Sequence, residues 1–154
     1  MQRHVSRMQS FSSCVEMNAS CLYINIITAK YMDQQQDHYK RFNKYTKQLY
    51  KELLKLFPKD PILTLASTSF IIMKQLNKQS PAEFFHKSIT TPYAEDIMNK
   101  QTFFLEESFN IPICDGFNKK VKDTWAVLDE ANRTALWDHM HVLLVLCKKC
   151  MQPS

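Results

Sequence analysis

Glycine is nearly missing from this chain. Gly116 is the only one among 154 residues. Phosphate-cradling loops and dinucleotide crevices need glycine where backbone must approach a phosphate closely or adopt positive φ. Such sites are therefore excluded, and with strand-like alternation also scarce, the composition points to helices. Long apolar runs are missing too: the best candidate, residues 62–76, is broken by Thr64, Ser67, Thr68, Ser69, Lys74 and Gln75, short of the ~20 apolar residues a membrane span requires. There is no regular cysteine framework. Cys14, Cys21, Cys114, Cys147 and Cys150 are an odd number without pattern, as expected of reduced thiols in an intracellular protein. Arginine is scarce after Met32, where only Arg41 and Arg133 occur.

What is present suffices for one core. Hydrophobic residues make up 45% of the chain and charged residues 23%, which fits a single folded domain and not a disordered polymer. Net charge is +5, a mild excess that suits nucleic acid or acidic partners without requiring either. Part of it lies near the N-terminus, in Arg3, Arg7 and Lys30 against Glu16 alone.

Residues 1–31 show no helical periodicity and read as an unstructured or peripheral extension, one that need not belong to the mature protein. Arg3, Arg7, the serines Ser6, Ser10, Ser12 and Ser13, and the lack of acid before Glu16 also suit a mitochondrial presequence. Met32 could equally be the biological start, followed by the solvated run Asp33-Gln34-Gln35-Gln36-Asp37.

Residues 32–151 read as the helical domain. Tyr39, Phe42, Tyr45, Leu49, Leu53 and Phe57 recur at three- and four-residue steps, which predicts an amphipathic helix over about 33–57 that Pro58 ends. Asp60-Pro61 supplies an N-cap and a first-turn proline for a second helix. Its residues are apolar on most sides, so it is expected to be central. Ser80-Pro81-Ala82-Glu83 has the form of a capping box, and Thr91-Pro92 opens another short helix. After Phe103-Phe104-Leu105, a short helix to Ser108 and a loop over 110–116 are expected. Phe117, Val121, Trp125 and Leu128 mark a helix over 117–128, residues 129–132 a turn, and Leu136 to Cys147 a last, central helix reaching about Lys149. The fold class is all-α, an irregular bundle of five to seven helices.

No arrangement of residues announces catalysis. Cys147-Lys148-Lys149-Cys150 offers two thiols, but His139 lies about 16 Å from Cys150 along one helix, and His139 and His141 point about 200° apart. A four-ligand zinc site cannot close there without breaking the helix. No nucleophile stands at a recognisable spacing from a base. The chain reads as non-enzymatic, with no metal and no cofactor implied.

Two binding readings remain. The first helix carries Lys40, Arg41, Lys44, Lys47 and Lys51 interleaved with aromatics, a surface that could lie along phosphates without reading sequence. The aromatics nevertheless fall at core spacing, and lysine is the usual residue of a solvated face. Trp125 and Trp137 fall on inward stripes and are expected to pack the last two helices, or else to anchor an interface with another protein or a second copy.

Pro92-Tyr93, Ile97, Asn99-Lys100-Gln101, Phe103-Phe104-Leu105, and then Val121-Lys122, Trp125, Leu128, Asn132, Leu136-Trp137, Leu143 and Leu146 form a further pattern. Over residues 39–150 it resembles small helical proteins of large eukaryotic (nucleocytoplasmic) DNA viruses, which generally lack an assigned function. The resemblance implies a viral interaction or structural protein, made in the infected host cytoplasm or carried in the virus particle. Its motifs are packing motifs and imply no activity.

Overall fold

A computed structural model describes the backbone of residues 2–152 and the side chains of residues 21–152. The chain is all-α, with no strand among the described residues. Six α-helices follow in order: α1 (Gln2–Leu56), α2 (Pro61–Leu76), α3 (Ser80–Phe85), α4 (Thr91–Met98), α5 (Phe117–Val127) and α6 (Glu130–Met151). A π-helical turn at His86–Thr90 joins α3 to α4, and Phe103–Leu105 forms one 3₁₀ turn.

The N-terminal segment departs from expectation. Helix α1 starts at Gln2 and not near residue 33, so the backbone of residues 2–31 is helical where the sequence shows no helical periodicity. The first proline or glycine of the chain is Pro58, and nothing before it obliges the helix to stop. Apolar periodicity marks a buried face, and Leu22, Tyr23, Ile24, Ile26 and Ile27 are all exposed. Residues 21–30 bury no face for a periodicity to mark. The chain divides at Asp37, a few residues later than the expected boundary at Met32. Residues up to 36 form one unit and those from Asp37 onward the compact one.

Within the compact unit, local chemistry sets the ends. Asp60 Oδ1 accepts hydrogen bonds from the Ile62 and Leu63 amides, both at 3.0 Å, and caps α2 as its sequence predicts. The capping box at Ser80 does not form. The Ser80 amide donates instead to the Asn77 carbonyl at 3.0 Å, and the Asn77 side chain accepts from Gln79. Helix α4 starts at Thr91 as its sequence predicts, though it follows the π-helical turn without a break in the backbone. The Thr91 amide reaches back five residues to His86, and this wider turn accommodates Pro92, which lacks an N–H and would crowd a regular turn.

Helix α4 ends at Lys100, whose φ is 54°. The Gln101 amide bonds the Asp96 carbonyl at 2.8 Å and the Lys100 amide that of Ile97 at 3.1 Å, the paired closure of a helix ending in a left-handed residue. Past Leu105 the chain turns extended at Glu106, so the helix expected to reach Ser108 is a single 3₁₀ turn. Residues 129–132 are no turn. Asp129 accepts from the Asn132 amide at 2.8 Å and caps α6 directly.

The core joins α1, α3, α4, the 103–111 segment and α6. Phe42, Ile97, Cys147 and Cys150 are its most enclosed large side chains. Helix α6 is central as expected, burying Trp137, Leu143, Leu144, Cys147 and Cys150. Helix α2 is not. It buries only Leu63, Ala66 and Phe70, while Leu65, Ile72 and Leu76 stand exposed. Its apolar character on several sides serves two surfaces, one against the bundle and one open.

Candidate interaction surfaces and an apolar cavity

The lysines of α1 share one face. At 100° per residue, Lys40, Lys44, Lys47 and Lys51 fall within an arc of about 60°, and all four are exposed. Arg41 lies off that arc, and its guanidinium pairs with Asp37 at 3.0 Å. Lys55 pairs with Glu52 at 3.2 Å. The aromatics that alternate with the lysines turn inward: Tyr39 and Phe42 are buried, and Phe42 meets Phe85 edge-on at 5.5 Å. The spacing read in the sequence therefore separates into a core face and a solvated basic face.

The tryptophans meet each other. Their rings lie 5.6 Å apart at 72°, with Phe104 edge-on to Trp125 at 5.0 Å. Trp137 is buried and Trp125 half-buried. Arg133 closes over the Trp125 ring at 4.9 Å while donating two hydrogen bonds to the Trp125 carbonyl. This cluster is packing between α5 and α6, and neither indole stands open as an interface anchor.

The histidines and cysteines of α6 serve the bundle in different places. The Tyr45 hydroxyl lies 2.6 Å from His139 Nδ1, joining α1 to α6. His141 Nε2 meets the Ile97 carbonyl at 2.8 Å, joining α6 to α4. Cys147 donates to the Ala82 carbonyl and accepts from Thr90. Burial pushes both thiols up, that of Cys150 to about 12, the reverse of what a nucleophile or metal ligand needs. Among the described residues no three His, Cys, Asp or Glu side chains converge to hold a metal. A hollow of about 360 Å³ has Glu52, Lys55, Asn132 and His139 in its wall, with Lys55 already paired with Glu52.

Two features escape the sequence pattern. The first is the outer face of α2, where Thr64, Leu65, Thr68, Ile71, Ile72, Gln75 and Leu76 are all exposed. No charged residue lies on it. Thr64 and Thr68 donate their hydroxyls to carbonyls of Asp60 and Thr64 at 2.8 and 2.9 Å, so both present methyl groups outward and can be dehydrated without losing a partner. The signal in the sequence is the stretch 61–73, which holds no charge at all.

The second is a cavity of about 270 Å³ between α1, α2, the 103–113 segment, α5 and α6. Its wall is aromatic and aliphatic, including Phe42, Leu49, Phe70, Phe104, Val121 and Met140. Natural interiors hold few voids larger than a water molecule. Left empty, this lining forfeits the dispersion contacts that a filled core would make. Water is no remedy, because each molecule needs two to four polar partners. Thr46 and Ser69 reach the wall, but their hydroxyls donate to the Phe42 and Leu65 carbonyls.

No helix among the described residues is long and apolar enough to cross a membrane. Comparison with family models, with curated proteins and with solved structures finds no match to this chain.

Proposed function

We propose that this chain is a non-enzymatic interaction protein, of the viral helical kind its packing motifs resemble, and that it binds a protein partner through the outer face of α2. The observation that carries this reading is the combination of exposed Leu65, Ile72 and Leu76 with threonines whose hydroxyls are already bonded within the helix. Such a face gains by being covered, and its threonine hydroxyls keep their partners when it is. A second copy of the chain is the first partner to test, since an uncharged face meets no repulsion from itself.

Sedimentation equilibrium of the full chain, beside a Leu65→Lys/Ile72→Lys variant, tests it. The expected result is a dimer that the variant converts to monomer with its far-ultraviolet circular dichroism unchanged. A monomer at all concentrations directs the test to affinity capture from the native source under nuclease. Capture of no protein that Leu65→Lys/Ile72→Lys loses would overturn the reading.

The common face of Lys40, Lys44, Lys47 and Lys51 supports a second reading, sequence-nonspecific binding of nucleic acid. Four phosphate contacts give a slope of log affinity against log salt of about −3.6 on duplex DNA. A Lys44→Glu/Lys47→Glu/Lys51→Glu variant should then lose binding entirely, while Leu65→Lys/Ile72→Lys leaves it intact. A salt-independent signal would sink this alternative.

A further inference from the structure

We propose that the cavity between α1, α2, α5 and α6 is a binding site for a neutral, hydrocarbon-rich small molecule. Its volume of about 270 Å³ is nearly twice that of an engineered dry cavity of about 150 Å³ that binds benzene. It lies just below the range of ordinary small-molecule sites. The occupant is therefore bulkier than benzene, with two fused rings or a short acyl chain as the fitting shapes.

The chemistry of the wall excludes a charged or strongly polar occupant. Phe42, Phe70, Phe104 and Met140 offer only apolar surface. The Thr46 and Ser69 hydroxyls are committed to carbonyls of their own helices. The one ammonium that reaches the wall, Lys120, is paired with Asp60. A ligand carboxylate or phosphate would be stripped of water with no free cation on the wall, only the Tyr50 and Thr124 hydroxyls and the Trp125 and Trp137 indoles, to replace it. On one side the wall is irregular chain, Phe109, Ile111, Pro112 and Ile113, and not helix. The hollow is partly open to solvent, which gives an apolar molecule a way in.

The same two hydroxyl residues make the test clean. Replacing Thr46 and Ser69 by leucine fills the cavity and orphans no group, because each carbonyl they touch keeps its place in the helix. The probe is N-phenyl-1-naphthylamine, a neutral dye, titrated into the full chain and followed by fluorescence, with naphthalene as competitor. Expected are saturable uptake of one dye per chain, displacement by naphthalene, and affinity at least tenfold weaker in Thr46→Leu/Ser69→Leu, whose thermal midpoint rises. Ile72→Lys, on the outer face of α2, should bind the dye as the unaltered chain does. Uptake that never saturates, or equal affinity in the filled variant, would overturn the proposal. So would loss of binding in Ile72→Lys, which would put the dye on the exposed face. If the double variant does not fold, Ser69→Val carries the test: weaker binding supports the site and unchanged binding overturns it.

Discussion

Asp60 and Lys120 bind α5 to the first turn of α2. One carboxylate oxygen of Asp60 caps the Ile62 and Leu63 amides, and the other pairs with the Lys120 ammonium. The Asp60 side chain is only 9% exposed. Burial by itself works against its charged form, and Lys120 together with the Leu63 and Ile62 amides more than offsets this, holding the carboxyl below its ordinary value. The arrangement also seats the residues that follow, Leu63 and Ala66, against the bundle.

Asp60→Ala removes cap and ion pair together and should cost roughly 2 kcal/mol or more in urea unfolding, the upper range for a cap. Asp60→Asn keeps a capping oxygen and should cost less. The pH dependence follows from the direction of the shift. With the folded-state value depressed, the contribution is complete above the ordinary carboxylate range and is lost as pH falls through the folded-state value. The stability difference between the native chain and Asp60→Asn should therefore shrink below about pH 4. A constant difference down to pH 2 would show that the charge on Asp60 contributes nothing.

At the alkaline end the sign reverses. Burial, with Cys147 beside it, pushes the Cys150 thiol up to about 12, and burial with Cys114 nearby does the same for the Tyr50 hydroxyl. Groups raised in the folded state contribute fully below their unfolded values and lose that contribution as pH rises toward the folded ones. Unfolding free energy should be flat to about pH 8, fall as the unfolded thiols ionise, and fall faster above about pH 10 when tyrosine joins. Cys150→Ala should make the segment between about pH 8 and 10 shallower, with Cys147 and Cys114 still titrating there, and leave the steeper one. Urea titrations at half-unit intervals would resolve the two.

The parts of this fold legible in sequence are those set by local chemistry or by burial on one face. Asp60-Pro61 and Pro58 each act within a turn or two, α2 beginning and α1 ending where they require, and the Tyr39–Leu53 stripe marks the face that α1 turns to the core. The capping box at Ser80 is equally local, yet Asn77 takes the Ser80 amide first. That competition depends on how α2 ends and cannot be read from four residues. Helix α2 is less central than its composition suggests for a different reason. Apolar content distinguishes a face that avoids water from one that does not, but not whether the chain itself supplies the cover. The cavity is less legible still, because a hollow is the mismatch of side chains from five segments, and no single stretch carries it.

Thiol chemistry provides a direct reading of burial. Cys21 is exposed, Cys114 half-buried, and Cys147 and Cys150 are enclosed in the core. With Cys14 replaced by serine, an aromatic disulfide reagent should label Cys21 at once and Cys114 more slowly. Cys147 and Cys150 should react only through unfolding, at least about a thousandfold more slowly for a domain of ordinary stability. Rapid labelling of either would mean that α6 leaves the bundle on its own.

Gly116 carries the remaining prediction. It precedes α5 with φ at 80°, in the left-handed region, and a Cβ there would sit 3.4 Å from the Ile62 side chain. The contact is tolerable, so the cost of a substitution lies in the backbone. An L-residue other than asparagine or aspartate meets a penalty of about 1–2 kcal/mol in that conformation. Gly116→Ala should lower the unfolding free energy by about that amount, and Gly116→Asn by less, because asparagine tolerates left-handed φ. The loop before it would move as well, since Asn118, in the first turn of α5, accepts the Ile111 amide and donates to Asn110. Loss of amide protection at Ile111 in Gly116→Ala, measured by hydrogen exchange, would show that the single glycine of the chain sets the path of the whole 110–116 segment. Unchanged protection with the same loss of stability would confine its role to the start of α5.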